Sequence, residues 1–67
     1  MMLTINGASR TFGASVATVA DLVRELALEG KRIAVERNGE IVPRSRYADT
    51  ALAAGDHLEI VGAVGGG

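Results

Sequence analysis

Thr18-Val19-Ala20-Asp21-Leu22-Val23-Arg24-Glu25-Leu26-Ala27-Leu28-Glu29-Gly30 is the stretch on which the fold turns. Within it Val19, Leu22, Val23, Leu26 and Ala27 fall at i, i+3, i+4, i+7 and i+8, the spacing of one apolar helix face. Both ends are marked. Thr18 can accept from a first-turn amide while Asp21, three residues on, reaches back as in a capping box. Asp21 also sits at the positive end of the helix dipole. Gly30 supplies the left-handed residue expected to stop the helix. One amphipathic helix covers only one side of a sheet, so the strands around it must turn their apolar faces toward it.

Strand signals lie on both sides of this helix. Met1, Leu3 and Ile5 alternate with Met2, Thr4 and Asn6, the two-residue period of a half-buried strand. Asn6-Gly7 accepts the positive φ values of a tight turn, so Ala8 to Phe12 returns antiparallel. Beyond the helix, Ile33 and Val35 share one face, Asn38-Gly39 makes a second turn, and Ile41-Val42 forms a short peripheral strand ended by Pro43. Arg44 to Ala54 shows no clear period, with a helical turn expected at most over Asp49 to Leu52. After the Gly55-Asp56 turn, His57 to Val64 reads as a last strand with Leu58 and Ile60 facing one way and Glu59 and Val61 the other. The fold class expected is α+β: a mixed four- to five-stranded sheet with one helix packed across one face. A last strand parallel to the first, in mid-sheet, would deliver the tail to a sheet end.

With 67 residues there is one small domain, expected over 1–64, followed by a flexible glycine tail over 65–67. Hydrophobic residues make up 48% but aromatics only 3%, so the core is expected to consist of Val, Leu, Ile and Ala. There is no Cys, which removes disulfides, thiolate metal sites and cysteine nucleophiles, and fits a reducing cytoplasm. No apolar run is long enough to span a membrane, and Met1-Met2-Leu3-Thr4 lacks the basic-then-apolar order of a signal peptide. A soluble, cytoplasmic chain is expected. The net charge of -1 and the lack of stacking aromatics beside a basic run argue against a nucleic-acid binder.

The hairpin with Asn6-Gly7, the capped helix, the run Val35-Glu36-Arg37-Asn38-Gly39-Glu40-Ile41-Val42-Pro43-Arg44, the Gly55-Asp56 turn and the end Val64-Gly65-Gly66-Gly67 together resemble the ThiS sulfur-carrier family of thiamin (thiazole) biosynthesis. The resemblance covers essentially the whole chain and implies the ubiquitin-like beta-grasp fold. Its most specific parts are the Asn-Gly-x-x-Val-Pro-Arg segment and the glycine end. Family members often end in two glycines; Gly65 adds a third here. The alternatives are another beta-grasp sulfur carrier, such as the small subunit of molybdopterin synthase, or a non-carrier ubiquitin-like binding module. The molybdopterin relatives are usually longer, with an aromatic-rich start and a Pro-containing approach to the glycines, features this sequence lacks.

The resemblance implies a protein that is a substrate rather than an enzyme. An adenylyltransferase resembling ubiquitin-activating enzyme would use ATP to adenylate the Gly67 carboxylate, a persulfide donor would convert it to a thiocarboxylate, and thiazole synthase would take the sulfur. No cofactor is expected to be bound, since the ATP is consumed by the partner. Activation is needed because a carboxylate is a poor electrophile until a good leaving group such as AMP is attached. Gly65 and Gly66 suit a tail that threads a narrow partner channel, because glycine has no β-carbon. Val61, Ala63, Val64 and Ala34 form the candidate docking patch on the solvent side of the last strand. Arg44 and Arg46 read as solvated charges, His57 as a strand-start residue, and Asp21, Glu25 and Glu29 as a hydrated helix face rather than a metal row. Tyr47 is expected to pack its ring over the irregular segment.

Overall fold

A computed structural model describes residues 1–62. The strands are β1 (Met2–Ile5), β2 (Ala8–Thr11), β3 (Ile33–Arg37), β4 (Glu40–Val42) and β5 (His57–Gly62), joined through one α-helix, α1 (Val19–Glu25), and a 3-10 helix (Arg44–Asp49). They form a five-stranded sheet in the order β2-β1-β5-β3-β4. β1 pairs parallel with β5, and the other neighbours are antiparallel. The expected mixed sheet is therefore present, with the last strand at its centre and β4 at an edge.

Both hairpins turn on the Asn-Gly pairs. Asn6 and Gly7 have φ values of 50° and 84°, and Asn38 and Gly39 have 51° and 87°. Two consecutive positive φ values give the turn whose twist matches the flanking strands, and Asn and Gly are the residues that adopt them at least cost. The helix begins as expected. The Asp21 amide donates to Thr18 Oγ1 at 3.2 Å, and Asp21 Oδ2 accepts from the Thr18 amide at 3.0 Å and the Ala17 amide at 2.9 Å. The Ala17 and Thr18 amides, then the Thr18 hydroxyl and Arg24, hold the Asp21 carboxyl below its ordinary pKa against a smaller opposing effect of desolvation.

The helix ends earlier than its apolar spacing suggests. Its last residue is Glu25, and the left-handed residue that follows is Ala27 at φ 59°, with Gly30 serving a later turn at φ 76°. Two hydrogen bonds close the end: the Ala27 amide to the Arg24 carbonyl at 3.0 Å and the Leu28 amide to the Val23 carbonyl at 2.9 Å. This is the paired cap in which an apolar residue beyond the helix folds back onto its last turn. Here that residue is Leu28, half-buried against the core. Ala27 consequently leaves the buried face, and packing of Leu28 outweighs the preference for glycine at the left-handed position.

The core also departs from expectation. Leu3, Val19, Leu22, Val35 and Leu58 are fully enclosed, as the periodicities require, but Phe12 and Tyr47 are buried with them and, among the described residues, no alanine is. The two aromatics fill volume that a short helix cannot reach. Tyr47 belongs to the 3-10 helix, which lies over Arg44–Asp49 rather than after Asp49, and it is the residue of that segment that enters the core. Pro43 at φ -64° precedes this helix, and its carbonyl accepts from the Arg46 amide at 2.8 Å. A proline-set φ and one buried ring thus organise a stretch that has no hydrophobic period.

Candidate functional site

The strand that leads into residues 63–67 is β5, so its anchoring decides how that end is presented. The expected site residues Ala63, Val64, Gly65, Gly66 and Gly67, together with the boundary between domain and tail, lie outside the described residues. Val61 and Ala34 lie inside them and are brought together, directly opposite each other in the β3–β5 register. Ala34 is exposed and Val61 is 59% exposed, on the sheet face away from α1. One step back along the same face, Glu36 opposes Glu59. Two carboxylates directly across a ladder are mutually unfavourable, so the apolar pair is bounded on that side by negative charge.

Three side chains fix β5, and local sequence patterns give none of them this role. β1 last pairs with β5 at Ile5 opposite Leu58, after which the Asn6 amide donates to the Leu58 carbonyl at 2.8 Å and the chain turns away. The Asn6 side chain continues the ladder: Nδ2 donates to the Ile60 carbonyl at 3.0 Å and Oδ1 accepts from the Ile60 amide at 2.7 Å. Asn38, the matching residue of the second Asn-Gly turn, accepts from the His57 amide at 2.9 Å and donates to Asp56 Oδ1 at 3.1 Å. Each hairpin turn therefore extends its asparagine onto the central strand.

Asp56 completes the anchor at the start of β5. It is 7% exposed and accepts from Arg37 Nε at 2.7 Å, from the Ala53 amide at 2.8 Å and from Asn38. Burial pushes its carboxyl up, but the Ala53 amide, the Asn38 side chain and the Arg37 guanidinium together bring it below the ordinary value. A buried carboxylate so satisfied rigidifies its surroundings, whereas removal of one partner leaves a buried charge uncompensated. The only sequence cue is the acid after Gly55, which reads as a turn residue.

The remaining candidates stay apart from this centre. His57 is exposed at the head of β5. Asp21 is used in the helix cap, and Arg24 lies 3.5 Å from Asp21 and 3.8 Å from Glu29; because the helix ends at Glu25, Glu29 lies beyond it and the three acids do not form one helix face. Among the described residues no group of three or more His, Cys, Asp or Glu side chains is placed to hold a metal, and no helix is long and apolar enough to cross a membrane. Arg44 is not merely solvated: its Nη2 donates to the Lys31 carbonyl at 2.9 Å.

Comparison with known proteins gives a consistent result. The ThiS family model matches residues 3–67. A thiazole synthase of Paramagnetospirillum magneticum is 54% identical over 67 residues, all of this chain and 20% of that protein, so the chain spans about a fifth of that relative's length. The sulfur carrier protein ThiS of Bacillus subtilis is 41% identical over 66 residues, covering 98% of this chain and all of that one. Among solved structures, the crystal structure of a thiamine biosynthesis protein (ThiS) from Geobacter metallireducens superposes with a TM-score of 0.84 at 35% identity, covering both chains in full. A solution structure of a thiamine biosynthesis protein from the same organism gives 0.81 at 35% identity, covering all of this chain and 88% of that one.

Proposed function

The chain belongs to the ThiS family, with the beta-grasp architecture of its structural relatives, and from that premise we propose that it is a sulfur carrier of thiamin thiazole biosynthesis, loaded at Gly67. The observation that carries the reading is the extent of the family match, which runs through residue 67 and so takes in Gly65-Gly66-Gly67 as well as the folded domain. It is a carrier and not an enzyme. The catalytic groups belong to its partners.

In this reading the Gly67 carboxylate attacks the α-phosphorus of ATP on an adenylyltransferase resembling ubiquitin-activating enzyme, and pyrophosphate leaves. Persulfide sulfur then attacks the acyl-adenylate carbonyl and AMP leaves; a thiol cleaves the resulting acyl disulfide and frees the thiocarboxylate. Adenylation is the activating step, because it replaces a poor leaving group with AMP, and the later steps use that activation to form and free the C–S bond. Thiazole synthase is the proposed acceptor, supported by the thiazole synthase relative that carries a 54% identical segment within its own chain. The carrier binds no cofactor of its own, and the setting proposed is the cytoplasm, consistent with a sequence free of Cys.

Gly65 and Gly66 thread the partner's channel, and Val61 with Ala34, continued by Ala63 and Val64, docks against the adenylyltransferase. Fixing the backbone of a residue on binding costs roughly 1 to 2 kcal/mol, which keeps the complexes short-lived and lets the carrier move between partners. Two alterations test the reading. Gly67→Ala, or a tag fused after Gly67, should abolish thiocarboxylate formation while the domain stays folded; normal loading of either would contradict it.

A further inference from the structure

Where β5 reaches Gly62, β3 begins, and two hollows meet. One, of about 430 Å³, is bounded by Ala34, Val61 and Gly62 with Arg32 and Arg44 at its rim. The other, of about 250 Å³, lies between the end of α1 and the 3-10 helix, floored by Val23, Leu28, Ile33 and Tyr47. Ile33 and Arg44 line both, so the hollows form one bent groove.

Charge is sorted along this groove. Arg24, Lys31, Arg32 and Arg44 line it with Glu29 as its one acid, leaving three bases and seven acids for the rest of the chain. Arg24 is held by Asp21 and Glu29, whereas Lys31, Arg32 and Arg44 have no ion pair among the described residues. Arg44 is nevertheless fixed in place through the Lys31 carbonyl. A small anion would gain nothing from the apolar floor, and a purely apolar segment would leave these cations unpaired. The match is an extended segment with an aliphatic side chain flanked by carboxylates. The Glu36–Glu59 pair repels such a segment on the other side of Val61, which confines it to the arginine side.

We propose that this groove receives an acidic, aliphatic-centred segment of a protein that takes the carrier's tail, steering and docking it beside the root of that tail. The proposal rests on the carrier reading for its partner but not for its test. The ¹⁵N-labelled full chain is titrated in the millimolar range with the capped peptide acetyl-Asp-Glu-Leu-Asp-Glu-amide, with its Asn/Gln counterpart, and with inorganic phosphate. The acidic peptide should shift the amides of residues 31–34, 44 and 61–62 and lose this effect at high salt. Reversing both charges with Arg32→Glu and Arg44→Glu should weaken it about tenfold, and Arg32→Glu alone, which spares the Arg44 hydrogen bond, about threefold. Arg10→Glu on β2, the edge strand opposite β4, should change nothing. Equal shifts from the Asn/Gln peptide, equal shifts from phosphate, or no shifts at these amides would each overturn the proposal. A negative titration beside normal sulfur loading overturns the groove alone; a positive one beside failed loading overturns only the carrier reading.

Discussion

Asn6 and Ile60, 54 residues apart, are joined as two strand residues would be: the Asn6 side-chain amide both donates to and accepts from the Ile60 backbone. The side chain stands in for the residue that β1 would have contributed had it not turned at Asn6-Gly7. Asn6→Gly preserves the left-handed turn and deletes only this bridge. We expect a loss of about 1 to 2 kcal/mol in chemical denaturation and faster hydrogen exchange at the Ile60 amide, with the β1–β2 hairpin retained. Unchanged exchange at Ile60 would show that the bridge does not hold β5.

The Asp56 anchor has a pH signature. Its carboxyl titrates lower in the folded than in the unfolded chain, so the folded state binds its proton less readily. The resulting stability is present above the unfolded value, near 3.9, and is lost as pH falls through the lower folded value. Asp56→Asn should cost about 2 kcal/mol at neutral pH, because Arg37 and the Ala53 amide lose a charged acceptor. It should also remove the Asp56 share of the acid-side decline, leaving that of Asp21, which is likewise lowered. Denaturation curves across pH 2 to 7 measure both effects; parallel profiles for the two proteins would contradict the assignment.

Ala27 occupies a conformation that favours glycine. Because its φ of 59° is imposed by the cap that brings Leu28 to the core, Ala27→Gly should relieve strain without altering packing. The expected gain is about 0.5 to 1 kcal/mol in thermal or chemical unfolding. Destabilisation would mean that the helix end is held differently.

Val61 separates docking from folding. At 59% exposure its replacement by Asp removes little buried area, so unfolding should shift by less than about 0.5 kcal/mol. Adenylation by the activating enzyme should lose about tenfold in kcat/KM, mainly through KM. Unchanged adenylation kinetics would remove Val61 and Ala34 from the docking surface.

The parts of the fold that were legible are those with local causes. The Thr18 and Asp21 cap, the two Asn-Gly turns and the stop at Pro43 each follow from the conformational preference of one or two residues. One helix covering one sheet face fixes which side of each strand is buried, whereas the central, parallel placement of β5 is a matter of topology that these local signals do not select. Leu28 shows where such reasoning ends: its burial moves the helix stop to Ala27, against propensity, through a contact that no short window contains. Asn6, Asn38 and Asp56 illustrate the same limit at the site. Their turn positions explain them fully at the local level, so nothing in sequence flags the second use of their side chains on β5. The facing of Val61 was readable from the strand period, but its pairing with Ala34 depends on a register that only the folded sheet specifies.

The most direct measurement is the intact mass of the chain after incubation with ATP, an activating enzyme and a persulfide donor. Replacement of one Gly67 oxygen by sulfur should raise the mass by about 16 Da, reversibly on addition of thiazole synthase and its substrates. A mass that stays unchanged under conditions that load another ThiS protein would contradict the carrier function.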